Sequence, residues 1–146
     1  MKKIVSILVL LTLLLGATIG CTKKEEAKQN VTEKKQEEVK PKLDRLKEEF
    51  KKEGLEVGDN ENVAFDMLGA NNGYKFKLNG ELIEIYEYDL NALSDLGNKF
   101  VEQAKNGSVT MSGFNIPVKY NDGIMITRHD EHKDKDKILE IFNKFK

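Results

Sequence analysis

The stretch of residues 74–88, YKFKLNGELIEIYEY, constrains the fold of this chain more than any other segment. Asn79-Gly80 at its centre is the strongest short signal for a β-hairpin, because both positions of the turn need a positive φ. Around a two-residue turn the apolar side chains meet on one face, so the turn and the alternation agree. The predicted register pairs Leu78 with Glu81, Phe76 with Ile83 and Tyr74 with Ile85.

Three helical patterns and three further strands surround this hairpin. The apolar spacing predicts helices after Pro41, from about Asn91 to Lys105, and from Asp134 to the end. Residues 62–70 fit a short helix, which we predict, but Val63, Phe65 and Met67 also alternate as in a strand. Strands are predicted around 109–111, 114–120 and 124–126. At Asn121-Asp122-Gly123, a three-residue loop would pair Tyr120 with Ile124 and Val118 with Ile126, which keeps the apolar residues on one face.

These elements predict a single α+β domain over residues 42–146. We expect two layers: an antiparallel sheet of about five strands with the helices packed on one face. Two compositional zones precede this domain. Residues 1–20 are almost entirely apolar after Lys2 and Lys3, and residues 21–41 are so highly charged that they predict a solvated tether.

The first 21 residues resemble the signal peptide of bacterial lipoproteins. The resemblance rests on the positive tip, the apolar run 4–15 and Thr18-Ile19-Gly20-Cys21, although the family most often has leucine where Thr18 stands. It implies that the lipoprotein-processing machinery attaches a diacylglyceryl group to Cys21 and cuts after Gly20. The domain would then be held on the extracytoplasmic face of the cell membrane.

Two other interpretations of the same segment stay open. It is also compatible with a plain signal peptide followed by an incidental cysteine. Residues 4–20 are, in addition, long enough to form a short uncleaved spanning helix. If Cys21 carries lipid, two or more acyl chains hold the protein stably in the membrane. Each buried methylene group contributes ~0.8 kcal/mol to the free energy of membrane binding.

Composition excludes several classes of function. The chain has 24 Lys and Arg against 25 Asp and Glu, so no basic excess favours nucleic acid. Cys21 is the single cysteine, so an intrachain disulfide cannot form. No nucleophile-elbow, phosphate-loop or zinc-protease motif occurs, and we therefore predict a non-enzymatic protein without a cofactor.

The segment RHDEHKDKD holds both histidines of the chain. His129, Asp130 and His132 are candidate metal ligands, because imidazole and carboxylate groups bind zinc, copper or nickel. The alternative is a solvated connection in which Asp134 caps the last helix.

Glu84, Tyr86 and Tyr88 are predicted to project from the face of the hairpin opposite its apolar residues. Tyrosines on an open sheet face are typical of partner-binding surfaces, but they also occur beneath loops and helices. The domain resembles small domains of Gram-positive surface lipoproteins, a resemblance carried by IEIYEYD and HDEHKDKDKILEIFNKF that implies no activity.

Two functional hypotheses follow. The first is a membrane-anchored module that binds an unknown protein of the cell envelope through the open sheet face or an edge strand. The second is an extracytoplasmic metal-binding protein that uses residues 129–136.

Overall fold

The computed structural model describes residues 40–146. The predicted signal segment 1–20, Cys21 and residues 22–39 of the predicted tether lie outside the described residues. Within residues 40–146, no helix combines the length and the apolar character needed to cross a membrane.

The described residues form three α-helices, one short 3₁₀ helix and six β-strands. The helices are α1 (Lys42–Lys52), α2 (Asp95–Lys105) and α3 (Lys135–Lys144), and the 3₁₀ helix is Phe65–Leu68. The strands are β1 (Glu61–Asn62), β2 (Asn72–Leu78), β3 (Glu81–Glu87), β4 (Ser108–Met111), β5 (Phe114–Asn121) and β6 (Ile124–Thr127). They form one antiparallel sheet in the order β1-β2-β3-β6-β5-β4. The predicted α+β class is therefore confirmed, with six strands where about five were expected.

The β2–β3 hairpin has the predicted register. Phe76 lies opposite Ile83 and Tyr74 opposite Ile85. Asn79 and Gly80 both have positive φ, at 45° and 89°, as the two-residue turn requires. This hairpin supplies β2 and β3, two of the four inner strands of the sheet.

The predicted turn between β5 and β6 is wrong by one residue. Tyr120 pairs with Met125 and Lys119 with Ile126, so the loop has two residues, Asp122 and Gly123. All four residues of β6 are buried. Because both faces of this strand are covered, its apolar pattern has no polar face with which to fix the register.

One face of the sheet packs against α1 and α3. The buried residues of this first cluster are Leu43, Leu46 and Phe50 from α1, Phe76, Ile83, Ile85 and Ile126 from the strands, and Ile138, Ile141 and Phe142 from α3, among others. The pattern predicted for the first and last helices is thus confirmed, since their apolar stripes form this core.

The other face is covered in part by α2 and the 3₁₀ helix. A second buried cluster joins residues of α2 to residues of the sheet: Phe100, Val101 and Ala104 of α2, Tyr86, Val118 and Met125 of the strands, and Tyr88 just after β3. The expectation that all helices lie on one face is therefore corrected. β3 and β6 are buried from both sides because α2 packs opposite α1 and α3.

Helix α2 begins at Asp95, later than the predicted Asn91, because the Ser94 side chain accepts a hydrogen bond from the Gly97 amide at 3.0 Å. Leu96, which was predicted to be buried, is 41% exposed. Gly97 lies against the backbone of Gly69, which has a φ of 63°. A β-carbon on Gly97 would lie 2.8 Å from the Gly69 carbonyl oxygen, so both glycines permit the close approach of α2 to the 3₁₀ helix.

We predict that Gly97→Ala destabilises the domain by about 1–3 kcal/mol, although alanine is the better helix former. The added methyl group meets backbone atoms, which cannot move aside as a flexible side chain would. Chemical denaturation measures the effect, and Asn98→Ala at the exposed neighbouring position is the control. An increase in stability for Gly97→Ala would show that the contact yields and would contradict this account.

Candidate functional site

Tyr86 and Tyr88 are not the exposed pair that the sequence predicted. Their exposed fractions are 6% and 3%, because α2 and the 3₁₀ helix pack over this part of the face. The Tyr88 hydroxyl donates to the carbonyl of Leu68 at 3.4 Å. The two tyrosines are therefore part of the core; Tyr86 and its neighbour Glu84 border an opening that α2 and the 3₁₀ helix leave on this face.

Glu84 is the centre of a polar cluster on β3 and β6. Its Oε2 accepts a hydrogen bond from the Tyr86 hydroxyl at 2.8 Å, and Thr127 Oγ1 lies 3.5 Å from the same oxygen. Its Oε1 accepts from Arg128 Nε at 2.8 Å. Burial, with the hydrogen bond to Glu84, raises the pKa of Tyr86, so this hydroxyl stays protonated and remains a donor.

Arg128 has an unusual backbone conformation, with a φ of 62°. Three other non-glycine residues of the described chain have positive φ, and each of them opens a two-residue hairpin turn that ends in glycine: Asn79, Ser112 and Asp122. Arg128 belongs to no such turn. A left-handed backbone costs a residue with a β-carbon roughly 1–2 kcal/mol, and strain of this kind concentrates at functional sites.

The cause of this conformation is visible in the ladder between β5 and β6. The ladder ends at Val118 and Thr127. The alternation from the turn makes the next pair, Pro117 with Arg128, a hydrogen-bonding position, but proline has no N–H to donate. Pairing stops there, and the chain leaves the sheet at Arg128. Arg128 was not among the site residues predicted from the sequence.

A cleft of about 660 Å³ opens at this point, on the part of the second face that α2 does not cover. Glu84 and Thr127 lie in it, and Met111 and Ile116 form an apolar wall. Arg128, Asp130, Glu131 and Glu81 contribute charged side chains to its lining. We refer to this space as the sheet cleft; its volume is in the range of known ligand sites, about 300–1,000 Å³.

Phe114 lies beside the apolar wall of the sheet cleft. It pairs with Met111 across the β4–β5 hairpin and shares a face with Ile116. It is 73% exposed, the largest exposure among the large hydrophobic side chains of the described residues. The sequence marked Phe114 only as a strand residue, because its exposure depends on where α2 ends.

A larger groove, of about 1010 Å³, runs between α1 and α3. Its walls carry mixed charges in exposed pairs along single helices, such as Lys52–Glu49 at 2.6 Å and Lys144–Glu140 at 2.7 Å. Exposed pairs of this kind contribute little and are typical of solvated helix faces. The sheet cleft is the better candidate because it combines a partly buried carboxylate, a strained arginine and an apolar wall.

The two histidines are buried and are not joined in a ligand set. His132 Nε2 lies 3.0 Å from the carbonyl oxygen of Leu78, which can only accept, and the Asp134 amide donates to His132 Nδ1 at 3.0 Å. With these partners Nε2 donates and Nδ1 accepts, so both ring nitrogens are in use. His132 therefore holds the β2–β3 turn against the start of α3.

The proposed metal set of His129, Asp130 and His132 is corrected accordingly. Among residues 40–146, no three histidine, cysteine or acidic side chains are grouped so that they could hold a metal ion. Asp134 does precede α3, but its side chain does not cap the helix and instead accepts a hydrogen bond from Asn79 Nδ2 at 2.7 Å.

Comparisons with models of known protein families, with curated proteins and with solved structures found no match to this chain.

We predict that the domain loses stability as the pH falls below about 6.5, in part because of His129. Burial lowers the pKa of His129 from 6.5, with Lys135 and Lys119 adding to the effect and Asp130 opposing it. At pH values between the lowered pKa and the ordinary one, the unfolded chain binds a proton that the folded chain does not. Protonation therefore stabilises the unfolded chain in this pH range and lowers the free energy of unfolding. Above pH 6.5 His129 is neutral in both states, and this destabilisation is absent.

The measurement is the free energy of unfolding between pH 8 and pH 5, for the native chain and for His129→Gln. The variant loses packing at every pH, but its profile should be flatter than that of the native chain. His132 remains in both proteins, so the difference in slope isolates His129. Parallel profiles would refute the assignment.

Proposed function

We propose that this chain is a non-enzymatic binding module, anchored to the outer face of a cell membrane by lipid on Cys21, that holds an envelope protein in the sheet cleft. The observation that carries this proposal is the sheet cleft itself, where Arg128 is held in a strained conformation beside Glu84. Strained backbone of this kind clusters at binding and catalytic sites, which favours the sheet cleft as the functional surface.

The protonation states in and around the sheet cleft favour binding over catalysis. General acid–base chemistry needs a group that titrates near neutral pH. The Tyr86 hydroxyl has a raised pKa, and both ring nitrogens of His132 are occupied by backbone groups. These groups act as fixed donors and acceptors, which suits recognition.

The edges of the sheet support binding through a face and not through an added strand. β1 has only two residues. β4 is the opposite edge, and the amide of Thr110 already donates to the Gln103 side chain at 2.7 Å. Short or capped edges resist pairing with another chain. Of the two surfaces that the sequence suggested, the open face is therefore preferred.

The chain enters the domain at the end of β6 opposite the sheet cleft. Lys42, at the start of α1, pairs with Asp122 of the β5–β6 turn at 2.7 Å. The sheet cleft begins at Thr127 and Arg128, beyond the other end of β6. Four residues of strand separate the two ends by about 13 Å. The chain before Pro41 therefore joins the domain away from the sheet cleft, and the point of attachment leaves the cleft accessible.

We predict that Cys21→Ser releases the protein from the membrane fraction, because the sulfur that carries the lipid is lost. The native N-terminal peptide should have the mass of a diacylglyceryl-modified cysteine after cleavage behind Gly20. Thr22→Ser, one residue further on, should leave attachment unchanged. An unmodified thiol in the mature protein would contradict the lipid, and membrane retention of Cys21→Ser would favour the uncleaved anchor.

We predict that a partner is crosslinked from the sheet cleft and not from the opposite end of the sheet. A photoreactive phenylalanine replaces Phe114 or Glu131 in the full chain, expressed in its native cells. Both positions border the sheet cleft, so both should give the same adduct. Leu90 is the matched control, because it is 51% exposed and lies against Gly123 of the β5–β6 turn. The same adduct from position 90, or no adduct from either cleft position, would refute the proposed surface.

A further inference from the structure

The lining of the sheet cleft is predominantly negative. Four carboxylates, from Glu81, Glu84, Asp130 and Glu131, face it together with a single guanidinium, from Arg128. His132 also lines the cleft, and both of its ring nitrogens are engaged by backbone groups. Clefts lined mainly by one sign of charge concentrate ligands of the opposite sign, because apolar walls focus the field. The occupant of this cleft should therefore carry positive charge.

The ion pair between Arg128 and Glu84 is an example of a cationic side chain bound in the sheet cleft. Arg128 Nε donates to Glu84 Oε1 at 2.8 Å, while Tyr86 holds the other carboxylate oxygen. The Glu84 side chain is only 19% exposed, whereas that of Arg128 is 56% exposed. Glu84 is thus a preorganised acceptor, and Arg128 is a cation that can leave it for solvent at little cost.

The apolar wall indicates that the ligand carries an apolar group in addition to its positive charge. Met111 and Ile116 are half-buried, and the exposed Phe114 lies beside them. An exposed aromatic ring next to an apolar wall favours a ligand with a large apolar group. The acidic lining and the apolar wall belong to the same cleft, so one ligand should bring both groups.

We infer that the occupant is a peptide segment of the partner protein in which lysine or arginine neighbours a large apolar residue. This inference rests on the proposed function of the sheet cleft. The cationic side chain binds Glu84 and the acidic rim in competition with Arg128, while the apolar side chain packs on Met111, Ile116 and Phe114. A lipid surface is disfavoured, because anionic headgroups would be repelled by the rim and the chain enters at the other end of the sheet.

The test uses the full lipidated chain in a neutral detergent and three fluorescent peptides. The peptides alternate leucine with lysine, glutamine or glutamate, so only their charge differs. Fluorescence anisotropy should show the lysine peptide binding most tightly and the glutamate peptide binding least. The affinity for the lysine peptide should fall with added NaCl, since salt screens exposed charges.

Two variants at the sheet cleft should change this affinity in opposite directions. Asp130→Asn combined with Glu131→Gln should weaken binding of the lysine peptide by about 3- to 10-fold. Arg128→Gln should strengthen it by a similar factor, because the competitor for Glu84 is removed. Neither change should alter binding of the glutamine peptide. Glu48→Gln combined with Glu49→Gln removes the same charge from α1 and is the matched control, expected to have no effect.

The outcomes separate this inference from the proposed function. Equal binding of the lysine and glutamine peptides, or an equal effect of the control pair on α1, would overturn the cationic ligand. So would a failure of all three peptides to bind, or weaker binding by Arg128→Gln. In each of these cases, an adduct at positions 114 and 131 would still support the sheet cleft as the binding surface. Absence of that adduct would overturn both the cationic ligand and the sheet cleft as the binding surface.

Discussion

The burial of β3 and β6 on both faces is the constraint on which the rest of the structure depends. These neighbouring strands carry the first cluster on one side and the second cluster on the other. A sheet buried from both sides needs helices on both sides, and one helix must therefore cross to the face opposite α1 and α3. Helix α2 does so, and its limited length leaves the sheet cleft uncovered.

Elements with one polar face could be predicted from the sequence, whereas elements without one could not. The β2–β3 hairpin was predicted with its register, because Lys75 and Lys77 mark the face away from the first cluster. In β6 the residues Ile124, Met125 and Ile126 are all buried, so alternation could not choose between a two-residue and a three-residue loop. Polar contrast within an element, and not apolar content, is what fixes the register.

Residues of the sheet cleft could likewise be predicted only where local alternation of polar and apolar residues determines their position. Glu84 was placed on the correct face by simple alternation, and it is the one predicted partner-binding residue that lines the sheet cleft without being part of the core. Burial of Tyr86 and Tyr88 depends on the packing of α2, which no local pattern contains. The φ of Arg128 depends on Pro117 across the ladder, a pairing that becomes visible only once the register of β5 and β6 is known.

Glu84 lies where the face that carries the second cluster changes from a part covered by α2 and the 3₁₀ helix to an open part. This face presents Glu84 and Tyr86 on β3 and Tyr88 just after it, and α2 and the 3₁₀ helix lie over the tyrosines. A carboxylate beneath a helix would have to be paired with a cation and hydrogen-bonded, which rarely improves on an apolar residue of similar size. Glu84 instead keeps contact with solvent and with the exposed Arg128. Glu84 therefore lies at the boundary between the covered and the open part of this face, and it supplies the carboxylate at the centre of the sheet cleft.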